Sequence, residues 1–464
     1  MKTPIKFGTD GWRAVIAKEF TVENVIRISI GAALYLKENN LPLKVVIGHD
    51  CRFNGELFSK YVAKAFKHEG VEVILGDTFV TTPMISFATL ENNCGLGVII
   101  TASHNPPEYN GYKLKSKSGG PLIDSEIEKV ELNIPEFINF EKIDAIEINN
   151  HEVKDLASPY LIYLKTKFDF NAINKSSLQV AFNPMFGSGQ GIFKELTPNT
   201  IEYKSYRNPL FGGISPEPIP KNLVEFGEFL KAENKFDVAF VVDGDADRIG
   251  MMDGNGNYIN SHQIMLILIW ILVKYQNLRG PVATGFSSTD KIKLLCKKYD
   301  LPLTIVPIGF KHISKLMIDQ PILMGGEESG GIAVTGHIPE RDGIFNSFLI
   351  LEFLAKNNMN ITQLLKEIEN ELGAFSYNRL DLKISDNQKE QVLKILKSKS
   401  ISKIGQKKVE AIETLDGFKF RLSESEWVMA RLSGTEPLLR IYAEAETIEI
   451  VEENISHLRK ELVK

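Results

Sequence analysis

Cysteine is scarce. The 464-residue chain has three, Cys51, Cys94 and Cys296, far apart and without a CxxC pair. That count excludes a disulfide framework and a zinc knuckle, and it predicts a reducing compartment, the cytoplasm. A basic surplus is missing too. Lys and Arg number 54 against 59 Asp and Glu, a formal net charge of -5, which argues against nucleic acid as a partner. No long apolar run occurs. The greasiest stretch, Ile264 to Val273, is about half the ~20 residues that a membrane-crossing helix needs. It predicts a buried core helix and no membrane partner. The opening MKTPIKFGTDGWR has no apolar leader-like stretch.

What is present is ordinary for a globular chain: 43% hydrophobic and 24% charged residues. At ~150 residues per domain the length implies three or four domains. Short apolar runs alternate with helical stretches. KVVIG (44–48), VEVIL (71–75), LGVII (96–100), LQVAF (178–182), VAFVV (238–242), PVATG (281–285), LTIVP (303–307) and PILMG (321–325) read as strands, and Glu56–His68 as a helix. Strands alternating with helices predict parallel α/β sheets. The last ninety residues differ, with a strand-like VMARL (428–432) and a lysine-dense, solvated stretch from Lys394 to Lys408. Boundaries are expected near 153, 257 and 373.

Four constellations carry chemistry. In TASHNPPEYNGYK (101–113), directly after LGVII, Ser103 sits with His104, Asn105 and Lys113, at the strand end where open α/β sheets place their ligands. A serine needs a base or a strong field to act as a nucleophile; alone, this one reads equally as a cap in a surface turn. In FVVDGDADRIG (240–250), Asp243, Asp245 and Asp247 alternate, which puts three carboxylates on one side of an extended segment. A bound divalent metal resolves their repulsion, and hard oxygen ligands beside a phosphate suit Mg²⁺. An EF-hand fails, because Arg248 stands in its sixth place and Gly254 in its twelfth. GGEESGG (325–331) offers Glu327 and Ser329 to vicinal hydroxyls, or is a plain Gly-rich turn. RLSGTEPLLRIY (431–442) offers a nest at Ser433, Gly434 and Thr435 with guanidinium forks from Arg431 and Arg440, a fit for an unreactive phosphate. GSGQG (187–191) lacks the full dinucleotide pattern and reads as a packing turn, and DGNGNY (253–258) as a hairpin turn.

Together these strings, from GTDGWR (8–13) to RLSGTEPLLRIY, resemble the α-D-phosphohexomutase family of phosphoglucomutases, phosphomannomutases and phosphoglucosamine mutases. The resemblance implies an α/β protein of four domains: three related α/β domains with mixed sheets, and a C-terminal α+β lid-like domain, around a central cleft. The domains are expected at 1–153, 154–257, 258–373 and 374–464. By position, Ser103 resembles the phosphorylated serine. Asp243, Asp245 and Asp247 resemble the Mg²⁺ ligands, with the Ser103 phosphate completing the set. Glu327 and Ser329 would grip sugar hydroxyls, and Arg431, Ser433, Gly434, Thr435 and Arg440 the distal phosphate. Arg13, His104, Lys113 and Arg248 match positions at the reacting end, with Lys113 the leading general acid/base if burial or nearby cations lower its pKa. GFKHI (309–313) makes Lys311 a substrate contact and, with the doubled acid of GEESGG, resembles the phosphoglucomutase branch. Gly331 stands where phosphomannomutase and phosphoglucosamine mutase types more often carry His, and Leu432 where many members carry Pro.

The implied reaction exchanges hexose 1-phosphate and hexose 6-phosphate through phospho-Ser103 and a hexose 1,6-bisphosphate (glucose 1,6-bisphosphate for glucose). The small-molecule phosphosugar is the partner, and the chain is expected as monomer or homodimer. Alternatives are a phosphomannomutase or dual enzyme, a phosphoglucosamine mutase, a haloacid-dehalogenase-type enzyme with Asp243 as nucleophile, and a non-catalytic sugar-phosphate-binding protein.

Overall fold

The computed structural model describes residues 5–433 and 438–463. It forms two compact units: the chain up to Pro281 with Gly309–Leu364, and Val282–Ile308 with Leu365 onward. Residues 282–308, inside the expected third domain, thus belong to the second unit.

The first unit opens with β1 (Trp12–Val15), α1 (Val22–Glu38), β2 (Lys44–His49), α2 (Gly55–His68), β3 (Glu72–Gly76), α3 (Thr82–Glu91), β4 (Leu96–Ile100), β5 (Tyr109–Ser116) and β6 (Val153–Lys154). The six strands make one sheet in the order β1-β5-β4-β2-β3-β6. β4 is buried along its whole length, as a continuous apolar run requires when both faces of a sheet are covered. Helix starts are marked by local chemistry: Thr21 and Thr81 accept hydrogen bonds from Asn24 N and Met84 N and cap α1 and α3.

A second sheet holds β7 (Val180–Asn183), β8 (Ile201–Glu202), β9 (Val238–Val242), β10 (Ile249–Asp253) and β11 (Tyr258–Ile259), in the order β11-β10-β9-β7-β8. Both sheets are mixed, as the family resemblance implied, and not parallel as the strand–helix alternation alone predicts. β5 runs antiparallel to β1 and β4, and β10 antiparallel to β9 and β11. The polar YNGYKLKS of β5 hides a buried strand, because Lys113 and Lys115 enter the interior with acidic partners.

Several local readings hold. DGNGNY forms the turn between β10 and β11, where the Asp253 N–H donates to Asn257 O at 3.0 Å. GSGQG packs on the loop after β9: the Ser188 N–H donates to Gly244 O at 2.9 Å, and a Cβ on Gly187 would lie 2.6 Å from that oxygen. The run Ile264–Val273 is fully buried, in the helix Ser261–Trp270 and the wider π-turn that follows it. The strand expected at 321–325 is shorter and later, Met324–Gly326, and forms a hairpin with Ile332–Val334. Among the described residues no helix is long and apolar enough to cross a membrane.

In the second unit Val282–Gly285 and Leu303–Val306 pair in parallel. Ser376–Lys383, Leu438–Ala445, Trp427–Leu432, Phe418–Arg421 and Ala411–Glu413 follow one another in an antiparallel sheet. The helix Ile448–Leu462 packs on it through Val451, Ile455, Leu458 and Leu462.

Candidate active site

The loop after β4 is held from behind by one buried guanidinium. Arg52 donates from Nη2 to Ser103 O (2.7 Å) and Asn105 O (2.6 Å), and from Nη1 to Pro106 O (2.8 Å) and Tyr109 O (3.0 Å). Its Nε lies 3.3 Å from Asp50 Oδ2, and its guanidinium stacks on Phe211. Asp50 also accepts from Thr101 Oγ1, which in turn accepts from Ser103 N at 2.9 Å. With its carbonyls turned toward Arg52, the loop carries Ser103 in the left-handed region, φ 51°, a cost that only an over-determined surrounding sustains.

From that turn the Ser103 hydroxyl donates to Asp243 Oδ2 at 2.7 Å, with His104 Nδ1 at 3.2 Å. Ser103 and all three aspartates are buried. One oxygen from each of Asp243, Asp245 and Asp247 lies within 4.8 Å of the others. Burial pushes the Asp243 carboxyl well above its ordinary range, and the charges of Asp245 and Asp247 add to this. Asp245 Oδ1 and Asp247 Oδ1 are buried and accept no hydrogen bond. Hard, partly unpartnered oxygens gathered at one point fit a divalent cation.

The cations expected at the reacting end surround this point. Arg13 on β1 donates from Nη1 to Asn105 Oδ1 at 2.6 Å. The Arg248 N–H donates to Asp243 Oδ1 at 3.1 Å, and its Nε is 4.0 Å from Asp247 Oδ1. Burial, then the nearby Arg248, Arg13, Lys113 and Arg52, hold His104 well below the usual imidazole range, so the ring is neutral. Lys113 corrects an expectation. Burial opposes its charge, but Asp10, Asp245 and Asp247 stand 2.8, 2.8 and 2.9 Å from Nζ. Their combined field raises its pKa instead of lowering it.

Glu327 is buried, accepts from Gly309 N at 2.6 Å, and titrates near 7, pushed up by burial and by Glu328. Ser329 follows on the same turn, half-buried. Lys311, in the helix Phe310–Asp319, forms an ion pair with Asp124.

In the second unit Arg431 and Arg440 face each other across adjacent strands. Arg431 Nε donates to Asp416 Oδ1 at 2.9 Å, and Arg440 Nε lies 3.9 Å from Asp381 Oδ1. Like charges directly opposite each other weaken a strand pair, and here Asp416 and Asp381 offset the two cations. Ser433 is buried and its N–H donates to Leu438 O at 2.9 Å. Gly434 and Thr435 lie outside the described residues.

The sequence reading missed Asp10, Asp50, Arg52, Thr82 and Arg341. HDCR (49–52) at the carboxyl end of β2 was the available signal for two of them. Asp10 lies within GTDGWR, but nothing local marks its partners, and Arg341 carried no signal, because its carboxylates Asp247 and Asp10 lie 94 and 331 positions away.

Comparison with known proteins agrees with this geometry. Residues 4–137, 158–256, 260–372 and 380–459 match, in order, the phosphoglucomutase/phosphomannomutase alpha/beta/alpha domains I, II and III and C-terminal domain. A phosphoglucomutase/phosphomannomutase of Thermococcus kodakarensis is 29% identical, with 96% of this chain and 95% of the relative covered. A phosphoglucosamine/phosphogalactosamine mutase of Sulfurisphaera tokodaii is 31% identical over 98% of each. A solved Thermus thermophilus protein, provisionally named a phosphomannomutase, is 33% identical and superposes with TM-score 0.88 over 100% of both chains. Four consecutive domain matches and full-length relatives above 30% identity place the chain in the α-D-phosphohexomutase family, whose members are phosphosugar isomerases.

Proposed function

We propose that the chain interconverts α-D-glucose 1-phosphate and glucose 6-phosphate by carrying a phosphoryl group on Ser103. One observation bears most of the weight: the Ser103 hydroxyl, on a residue held at φ 51°, meets Asp243 at 2.7 Å within a buried aspartate triplet. A serine so placed receives and releases a phosphoryl group beside the site that fits a cation.

In the first half-reaction the P–O bond to Ser103 breaks and a P–O bond to the free sugar hydroxyl forms, giving a hexose 1,6-bisphosphate. That intermediate turns end for end and returns its other phosphoryl group to Ser103. Such transfers depend on positioning and on charge stabilisation. Asp243, Asp245 and Asp247 would hold Mg²⁺, which supplies charge neutralisation at the transferring group when bound. Arg13 and Arg248 add fixed positive charge there. Neutral His104, with Nδ1 3.2 Å from Ser103 Oγ, takes the proton of the attacking sugar hydroxyl and gives it to the departing Ser103 oxygen, while Lys113, kept charged by three carboxylates, is a poor proton donor and adds fixed positive charge instead. Glu327 and Ser329 take the sugar hydroxyls, joined by Lys311 once it releases Asp124. Arg431, Ser433, Gly434, Thr435 and Arg440 hold the distal phosphate.

The preference for glucose rests on GFKHI and GEESGG. The Sulfurisphaera relative's name supports a second reading, an amino-sugar phosphate. A coupled assay with glucose-6-phosphate dehydrogenase, followed by comparison of kcat/KM for glucose, mannose and glucosamine 1-phosphates, decides between them. A higher value for glucosamine 1-phosphate would refute the glucose assignment.

A further inference from the structure

Asp245 and Asp247 each have one occupied oxygen and one bare one. Asp245 Oδ2 accepts from Thr82 Oγ1 at 2.6 Å and from Lys113 Nζ at 2.8 Å. Asp247 Oδ2 accepts from Lys113 Nζ at 2.9 Å and from Arg341 Nη2 at 2.6 Å. The Oδ1 atoms of both, equally buried, accept no hydrogen bond. The hydrogen-bond donors thus all sit on the Oδ2 atoms, and the two Oδ1 atoms, with only Arg248 Nε 4.0 Å from that of Asp247, are the ones left open to a cation held by the triplet.

These donors are themselves fixed. Thr82 is the first residue of α3, and it grips Asp245 twice: its N–H donates to Asp245 O at 2.9 Å while its hydroxyl takes the carboxylate. Arg341 also donates to Asp10 Oδ2 at 2.7 Å and lies over the Phe310 ring. A Cβ at Gly331 would stand 2.4 Å from Arg341 Cδ. The bare backbone of Gly331 thus leaves the room that Arg341 occupies.

We infer that Thr82 and Arg341 are positioning residues of the cation site, fixing the Oδ2 atoms so that the Oδ1 atoms stay open to the metal. This rests on the aspartate triplet being a metal site. Outer partners of this kind orient ligating carboxylates, and their loss typically weakens metal binding about 10–100-fold. Without the Thr82 hydroxyl, Asp245 Oδ2 keeps only the Lys113 ammonium as a side-chain partner, and the carboxylate is less firmly held against rotation about its last torsion.

The test uses the metal-free full-length protein titrated with Mn²⁺, with free Mn²⁺ read by electron paramagnetic resonance and no substrate present. Thr82→Val keeps the side-chain shape and the backbone N–H but removes the donor. Its Kd for Mn²⁺ rises about tenfold or more, and Thr82→Ser restores wild-type affinity. Arg341→Lys, which keeps the charge and loses the fork, weakens binding in the same way and decides the matter if Thr82→Val does not fold. Wild-type Mn²⁺ affinity in folded Thr82→Val would overturn the inference. Failure of the unmodified chain to bind Mn²⁺ would overturn the metal site itself, and the inference with it.

Discussion

Arg52 Nη2 donates a 2.7 Å hydrogen bond to the carbonyl oxygen of Ser103, fifty-one residues away in sequence. With its other three bonds, this one guanidinium satisfies three carbonyls of the loop between β4 and β5 and that of Tyr109, where β5 begins. A buried carbonyl left without its partner costs about 1–3 kcal/mol, so the loop keeps its shape only while Arg52 is there.

Arg52→Lys therefore loses the fork and lets Ser103 drift. Small misplacements of a reacting group cost about 100-fold in rate. The expected outcome is a kcat lower by about that factor with KM little changed, in a protein whose circular dichroism matches wild type. An unchanged kcat would show that Arg52 does not set the geometry of Ser103.

Glu327 makes a pH prediction. Its folded-state pKa, about 7, lies above the ordinary 4.5. Below about 4.5 folded and unfolded chains both hold the proton, and through this group stability does not vary with pH. Between those values the folded chain keeps a proton that the unfolded chain has lost, so stability falls as pH rises, and it levels off above about 7. Glu327→Gln removes that slope from a urea-melting series. In the proposed reaction the ionised carboxylate accepts sugar hydroxyls, so kcat/KM rises as pH passes about 7. The substrate phosphate titrates nearby, near pH 6. The comparison is therefore between the wild-type and Glu327→Gln profiles on the same substrate, and only the wild type has the inflection near 7.

Arg440→Ala addresses the second unit. Charge-assisted hydrogen bonds contribute about 1.5–3 kcal/mol, which corresponds to a KM rise of about 10–100-fold. Phosphorylation of Ser103 by glucose 1,6-bisphosphate at saturating concentration stays near wild type. Loss of that phosphorylation with unchanged binding would mean the two phosphate positions are exchanged.

The legible parts of this chain are those in which local sequence and tertiary role coincide. LGVII and VAFVV are strands residue for residue, because continuous apolar runs can be buried on both faces only in a covered sheet. The serine loop and the aspartate triplet were visible because each sits in one short string after such a strand. β5 was not legible as a strand, since its buried lysines look like surface until Asp245 and Glu340 are seen beside them. The charge state of Lys113 was not legible for the same reason: Asp10, Asp245 and Asp247 reach it from segments far apart in the chain. Thr82 and Arg341 escaped notice because a lone threonine at a helix start and an arginine before a helix carry no sign of the carboxylates they hold.

The most direct test of the central claim is to incubate the protein with glucose 1,6-bisphosphate, locate the transferred phosphoryl group by peptide mass spectrometry, and assay turnover of Ser103→Ala. The account predicts an acid-stable phosphoserine at Ser103 and a variant that stays folded while its turnover falls by several orders of magnitude. A hydroxylamine-cleaved acyl phosphate on Asp243, or near-normal turnover by Ser103→Ala, would contradict it.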